Sequence, residues 1–385
     1  MKYNLICFGY NPWSSFWKRN QIIVNYLQQE DFIDKVLFIN PSIWFSNSLS
    51  NPQKEFSPLR KAYWNYVIPR KVNIETTVYT PLYLPKLSKY TEKITQNIIK
   101  KYTCNPYLLL INKPMELDSG LAQLMDAATL TIFDWSDDFA QFAYGNDSVS
   151  SVQNNINKII NHSDIVFAVN DSLTSRAKEI NENSHCVRNA TNMAMFQNEV
   201  DESVASVSDK CRPVIGYSGW LVEDRLDREL IHFCARNLPE FDFVFIGPKV
   251  SDDPLGISYG PKNIHYREPV PYIELADVLN EFDVCIIPNK VNEHTKGNDP
   301  IKIYDYLFLG KAVVTTNTAG VDEFKHLISI VNNKEEFKEA LCLLVSENSV
   351  ENVNERKNAG IKHSWDQKIE HVIGHIKKGL KFNEA

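Results

Sequence analysis

Two stretches of the 385-residue sequence have the residue types and spacing to hold an anion. Pro213-Val-Ile-Gly216-Tyr217-Ser218-Gly219 reads as a strand running into a turn of small residues. Small residues let the backbone approach a ligand, and the helix start that follows offers unpaired N–H groups to a phosphate. The same turn also reads as purely structural. The G-x-G-x-x-G fingerprint is absent, and the next strand ends Phe245-Ile246-Gly247-Pro248 with no acidic residue, so the dinucleotide reading is weak.

The second stretch runs from Gly297 to Thr316. Pro300 is expected in a helix's first turn, where its missing N–H costs nothing, with Asn298 or Asp299 as the cap. Gly310 ends that helix before a buried strand. Lys302, beside the helix start, would hold a diphosphate. Asp305, about one turn further on, could accept hydrogen bonds from a ribose. The alternative is a capped surface helix with ordinary charges. In the first half, Asp137 and Asp138 follow a strand's C-terminal end, where an open α/β sheet places its ligands. One of them could orient or deprotonate a hydroxyl; the competing reading is helix capping. His162 and His185 are lone histidines near strand starts and read as structural.

The elements that must position these groups are short apolar runs alternating with helical patterns. Strands are expected at Asn4–Phe8, Lys35–Ile39, Tyr107–Ile111, Leu130–Phe133, Asp164–Val169 and Cys186–Arg188. The second half adds Pro213–Tyr217, Phe241–Ile246, Asn263–Tyr266, Val284–Pro288, Ala312–Thr316 and Ile328–Val331. Runs apolar on both faces and joined by helices make parallel, doubly wound sheets. Helices are expected at Ser14–Gln29, with Ser14 as N-cap, and at Glu274–Glu281, Pro300–Leu309 and Lys334–Leu344.

The length exceeds one ordinary domain, and the polar, aromatic-free text before Pro213 is the best linker. The expected division is residues 1–200, a linker at 201–212, a domain at 213–362 and a C-terminal helix at 363–385. A composition of 43% hydrophobic and 23% charged residues excludes disorder, collagen and coiled coil. A net charge of −7 speaks against a broadly basic nucleic-acid binder. Seven scattered cysteines without a C-x-x-C pair argue against a zinc site or a disulfide framework. A cytoplasmic protein without signal peptide or membrane span is the expectation.

One region departs from this charge balance. Residues 54–101 hold ten Lys/Arg and three Glu, interleaved with Tyr63, Trp64, Tyr66, Tyr79, Tyr83 and Tyr90. Such a surface suits anionic lipid headgroups or a phosphate-linked acceptor, which would make the protein peripheral to a membrane. The plain alternative is a solvated helix-and-loop region.

The stretch Asp299–Val314 resembles the C-terminal signature of GT-B glycosyltransferases, above all the family 4-like bacterial enzymes that build surface polysaccharides. Ile215–Gly219, Asp224–Asp227, Phe243–Pro248, Asn263–Arg267 and Phe282–Pro288 are similar to that family's donor domain. Pro12-Trp13…Arg19, Phe133–Phe142, Arg188–Phe196 and His363–Asp366 resemble segments elsewhere in its order. The resemblance implies two Rossmann-like domains facing a central cleft, with the last helix crossing back to the first domain. It implies a nucleotide-sugar donor on the second domain and a glycan or lipid-linked acceptor on the first. Retention of configuration is implied, with no metal and no cofactor. Donor contacts are expected from Gly216, Ser218, Gly219, Arg225, Arg267, Glu268, Lys290, Asn298, Asp299 and Asp305. Catalysis is expected from Asp137, Asp138 and Lys302, and acceptor contacts from Asn11, Trp13 and Arg19. Gly297 stands where relatives carry the first of two glutamates, and Asp305 takes the place of the second. A sugar-nucleotide epimerase on the same fold, or a non-catalytic partner protein, are the competing expectations.

Overall fold

Strands apolar on both faces are stable only between two layers of helix, which parallel pairing provides. The structure is a computed structural model that describes all residues except 45–62, 85–86, 143–147, 197–211, 293–294, 296–298, 319, 347–348 and 384–385. The chain divides into two units, Met1–Val187 with Ile369–Ala385, and Arg188–Lys368. The linker expected at 201–212 lies outside the described residues except for Arg212. Arg188–Phe196, expected in the first domain, clusters with the second unit, where the Asn189 N–H donates to Asp299 at 2.6 Å.

In the first unit the order is β1 (Tyr3–Phe8), α1 (Arg19–Leu27), β2 (Ile33–Ile39), β3 (Ile43–Trp44), β4 (Arg70–Lys71), β5 (Thr76–Tyr79) and β6 (Leu82–Tyr83). It continues with α2 (Ser88–Thr103), β7 (Tyr107–Ile111), α3 (Ser119–Asp126), β8 (Leu130–Trp135), α4 (Val149–Asn161), β9 (Ile165–Ala168), α5 (Asp171–Lys178) and β10 (Ser184–Cys186). Among the described residues one sheet runs β10-β9-β8-β7-β1-β2-β5-β4, parallel except where β4 meets β5. Its core holds Ile6, Leu37, Leu109, Phe133, Trp135 and Ile160.

Two expectations change here. α1 starts at Arg19 rather than Ser14; the loop before it is held by the Trp13 N–H, which donates to the Asn40 side chain at 2.8 Å, and by the Ser14 carbonyl, which accepts from the Gln21 side chain at 3.0 Å. Ser14 caps nothing in α1; its N–H donates to the Gln21 side chain at 3.2 Å. The basic stretch also contributes β5, paired in register with β2, as Val36↔Thr76 through Ile39↔Tyr79.

The second unit contains β11 (Val214–Ser218), α6 (Arg228–Asn237), β12 (Asp242–Ile246), β13 (Ile264–Arg267), α7 (Leu275–Asn280) and β14 (Val284–Ile287). Then come α8 (Ile301–Phe308), β15 (Ala312–Thr316), β16 (Ser329–Val331), α9 (Lys334–Ser346) and α10 (Val350–Lys362). Its described strands form a parallel sheet ordered β13-β12-β11-β14-β15-β16. That order reverses between β11 and β14, the switch point where open α/β sheets bind ligands. The last helix, α11 (Trp365–Asn383), begins in the second unit and belongs to the first from Ile369 onward. No described helix is long and apolar enough to cross a membrane.

Three histidines meet where α11 packs on β10. The His185 and His375 rings lie 3.6 Å apart, and the Nε2 atoms of His375 and His371 are 3.1 Å apart. Burial, and then the neighbouring His375, His371, Lys178 and Lys378, push His185 down to about 4. His375 is lowered by burial and by His371 and Lys378. An unfolded histidine titrates near 6.5, so the unfolded chain binds protons first as pH falls. Stability should therefore be intact above about pH 6.5 and decline toward about pH 4. Thermal melts at pH 7.5 and pH 5 check this: wild type should lose more than a His375→Gln variant. Equal losses would remove the cluster as the cause.

Candidate functional site

β11 and β12 pair with Ser218 opposite Ile246, which sets the turns after them side by side. The Gly219 N–H donates to the Ile246 carbonyl at 2.9 Å. A Cβ on Gly247 would stand 2.0 Å from the Gly219 carbonyl oxygen, and Gly219 and Gly247 have φ of +144° and +145°. Both positions therefore need glycine, for conformation and for space. Lys302, from the first turn of α8, comes over this turn. Its Nζ is 3.3 Å from where a Gly219 Cβ would be and 4.9 Å from the centre of the Tyr217 ring. A cation over an aromatic face is held electrostatically by the ring quadrupole. Tyr217 is itself fully buried and its hydroxyl donates to the Trp220 carbonyl at 3.1 Å. Burial pushes that phenol up to about 12, against a downward pull from Arg225. The Ser218 N–H donates to the Tyr306 hydroxyl oxygen at 2.8 Å, which fixes the turn from α8.

The surface-helix alternative for α8 does not hold, because Lys302 through Phe308 are all buried. Pro300 is the N-cap rather than a first-turn residue, with no side-chain cap. Asp299 does not cap; it accepts from the Asn189 N–H and, at 2.8 Å, from the Tyr304 hydroxyl. Burial raises its carboxyl pKa. Asn298 and Gly297 lie outside the described residues.

Asp305 is 4% exposed and accepts from the Tyr272 hydroxyl at 2.8 Å. Burial first, and this carboxylate second, push Tyr272 well above its ordinary value. The Asp305 carboxylate is thus turned inward and bound to a tyrosine. A Cβ on Gly216 would fall 1.9 Å from the Phe282 ring, so its smallness serves packing. Arg225 is half-buried and its carbonyl accepts the Lys290 N–H at 2.8 Å. The Lys290 ammonium donates to the Glu223 carbonyl at 2.7 Å. Arg267 is exposed and paired with Glu281 at 2.7 Å; Glu268 is exposed beside Tyr266. The structure thus gathers Gly219, Ser218, Tyr217 and Lys302, and leaves Arg267 and Lys290 with other partners.

In the first unit, Asp138 pairs with Arg176 at 2.8 Å, and the Arg176 guanidinium lies 4.9 Å from the Trp135 ring centre. Asp138 Oδ1 is buried without a hydrogen-bond partner among the described residues. Asp137 accepts the Asp138 N–H at 3.1 Å, ahead of the short 3₁₀ turn Phe139–Phe142. Arg19, expected to face an acceptor, is 6% exposed and forks onto Asp134 with contacts of 2.7 to 3.1 Å. Trp13 packs edge-on against Phe38, ring centres 5.1 Å apart, and the Asn11 carbonyl accepts from Asn20 at 3.0 Å.

No family model matches the chain. A stretch of 139 residues is 24% identical to "Putative teichuronic acid biosynthesis glycosyltransferase TuaH" of Bacillus subtilis (strain 168), covering 35% of each protein. The chain therefore spans about a third of that relative's length. The sucrose-phosphate synthase of Thermosynechococcus elongatus superposes over 100% of both chains with a TM-score of 0.69 at 12% identity. Anabaena HepE in complex with UDP superposes over 98% of this chain and 100% of its own, with a TM-score of 0.63 at 12% identity. Both are GT-B structures. The chain has the GT-B fold.

Within the GT-B frame, the residues that sequence reading missed are those acting through an aromatic ring or a buried partner. Tyr217 was visible as an apolar strand residue directly before Ser218-Gly219, but nothing in its spacing ties it to Lys302. Arg176 was visible only as a helix charge, far in sequence from Asp138.

Proposed function

We propose that this GT-B chain is a glycosyltransferase. It would move a sugar from a nucleotide-sugar to a glycan or lipid-linked acceptor in bacterial surface polysaccharide synthesis, at the inner face of the membrane. The observation that carries the reading is the Lys302 ammonium poised over the Gly219 turn on the Tyr217 ring. A leaving nucleoside diphosphate gains negative charge as the glycosidic bond breaks, and a preorganised cation offsets that charge without a metal. Retention of configuration is part of the proposal and rests on the family 4-like order of motifs. The name of TuaH supports the polysaccharide context, and the UDP in the HepE complex supports a uridine donor.

A thermal-shift screen over nucleotide-sugars, run with excess chelator, tests this. A true donor at 100 times its Kd should add about 2.7 kcal/mol of stability. Sugar-nucleotide turnover without any acceptor would instead support the epimerase, and no stabilisation by any nucleotide-sugar would overturn the donor site.

A further inference from the structure

His371 and His375 stand four residues apart on one face of α11, the spacing at which two imidazoles can share a metal ion. Their rings meet edge-on, 85° between planes, and the two Nε2 atoms converge to 3.1 Å. Imidazole nitrogens bind such an ion at about 2.0–2.1 Å, which sets them about 2.9–3.4 Å apart for bond angles from square to tetrahedral. The observed separation falls in that range.

The pair is held in place within the first unit. The His185 ring of β10 lies against His375 with 3.6 Å between centres, and Phe167 of β9 stands edge-on to His375 at 6.2 Å. The Nε2 of His185 is engaged by the Asn183 side chain at 2.8 Å, so this ring walls the pair rather than joining it. Val372 and Ile376 are buried and fix the helix face, whereas His371 is exposed and leaves the other positions of an ion to water.

The donor set selects the ion. Among the described residues no group of three or more His, Cys, Asp or Glu is placed to hold a metal, so a closed structural cage is not formed. Two imidazoles with Lys178 and Lys378 nearby offer nothing to Ca²⁺ or Mg²⁺, which take oxygen ligands. Imidazole suits Zn²⁺ and Cu²⁺. We propose that His371 and His375 chelate one divalent transition-metal ion, Zn²⁺ or Cu²⁺. The ion bridges one turn of α11 just after the helix joins the first unit at Ile369, so its binding adds to that unit's stability. The site shares no residue with the Gly219 turn and Lys302, and stands apart from the proposed transfer reaction. A direct hydrogen bond between the two rings accounts for the same separation without an ion, and the experiment distinguishes them.

The test is titration of the metal-stripped full chain with Zn²⁺ and with Cu²⁺, followed by calorimetry and by melting temperature. One ion per chain should bind, Cu²⁺ more tightly than Zn²⁺, with a rise in melting temperature that excess chelator reverses. The Cu²⁺ complex should show hyperfine coupling to two imidazole nitrogens. His371→Gln and His375→Gln should each weaken binding by about a hundredfold or more, because a chelate loses its intramolecular second contact. His371 is exposed, so His371→Gln should melt as wild type does in chelator. His185→Phe keeps a flat ring against His375, and His162→Gln removes the exposed His162–Asp126 pair at 2.8 Å; both should bind as wild type does. Absence of binding by either ion overturns the proposal and leaves the hydrogen bond. Undiminished binding in a folded variant carrying both His371→Gln and His375→Gln overturns it too, as does loss of binding in His185→Phe.

Discussion

Lys302→Ala is expected to lower turnover by about a hundredfold or more, from the ~3 kcal/mol commonly lost with one preorganised stabilising donor. The ammonium lies over the Gly219 turn and on the Tyr217 ring, so its removal deletes a cation from that cluster. The loss should fall mainly on kcat, because charge on the diphosphate is greatest as the bond to the sugar breaks. Lys302→Arg should recover part of the rate, since it keeps the charge but not the point geometry. Steady-state kinetics with a matched donor and acceptor, with melting temperature as the folding control, provide the measurement. A well-folded Lys302→Ala enzyme with wild-type kcat would remove Lys302 from the reaction.

The fold was legible because its strands are apolar on both faces. Tyr107–Ile111 and Ala312–Thr316 begin and end where the sequence puts them, the first between Pro106 and Asn112 and the second between Lys311 and Asn317. β5 was missed because Thr76-Thr77 looks polar and the segment sits among lysines and tyrosines; pairing with β2 decides its conformation. The start of α1 was placed too early for a related reason. Periodicity continues back to Ser14, but the Gln21 side chain bonds both the N–H and the carbonyl of Ser14 and holds it outside the helix.

The candidate site divides along the same line. Lys302 and the glycine turn were legible because each has a local signature, a proline-started helix and a strand running into small residues. What the other charged residues do was not legible, because their partners are far apart in the chain. Asp305 answers to Tyr272, Asp299 to Asn189 and Arg19 to Asp134. A charged residue inside a motif reads as a ligand contact until its buried partner is known. Burial decides between the two, since an ion that is out of water must be paired.

That argument makes Asp134 the site of the largest expected stability loss. Asp134, next to last in β8, has 0% exposure, and its carboxylate accepts from both Arg19 at the head of α1 and the Asn112 side chain after β7. It therefore ties three elements together at the carboxyl ends of interior strands of the sheet. Asp134→Ala leaves the Arg19 guanidinium buried with no carboxylate, and removing one partner of a buried pair typically costs about 3–5 kcal/mol. Asp134→Leu combined with Arg19→Met should be less destabilised than Asp134→Ala alone, because no charge is then stranded. Urea unfolding of the three proteins, with the slope checked for constancy, measures both differences. A loss below about 1 kcal/mol in Asp134→Ala would mean that Arg19 reaches water in the folded chain, as an acceptor-facing arginine would.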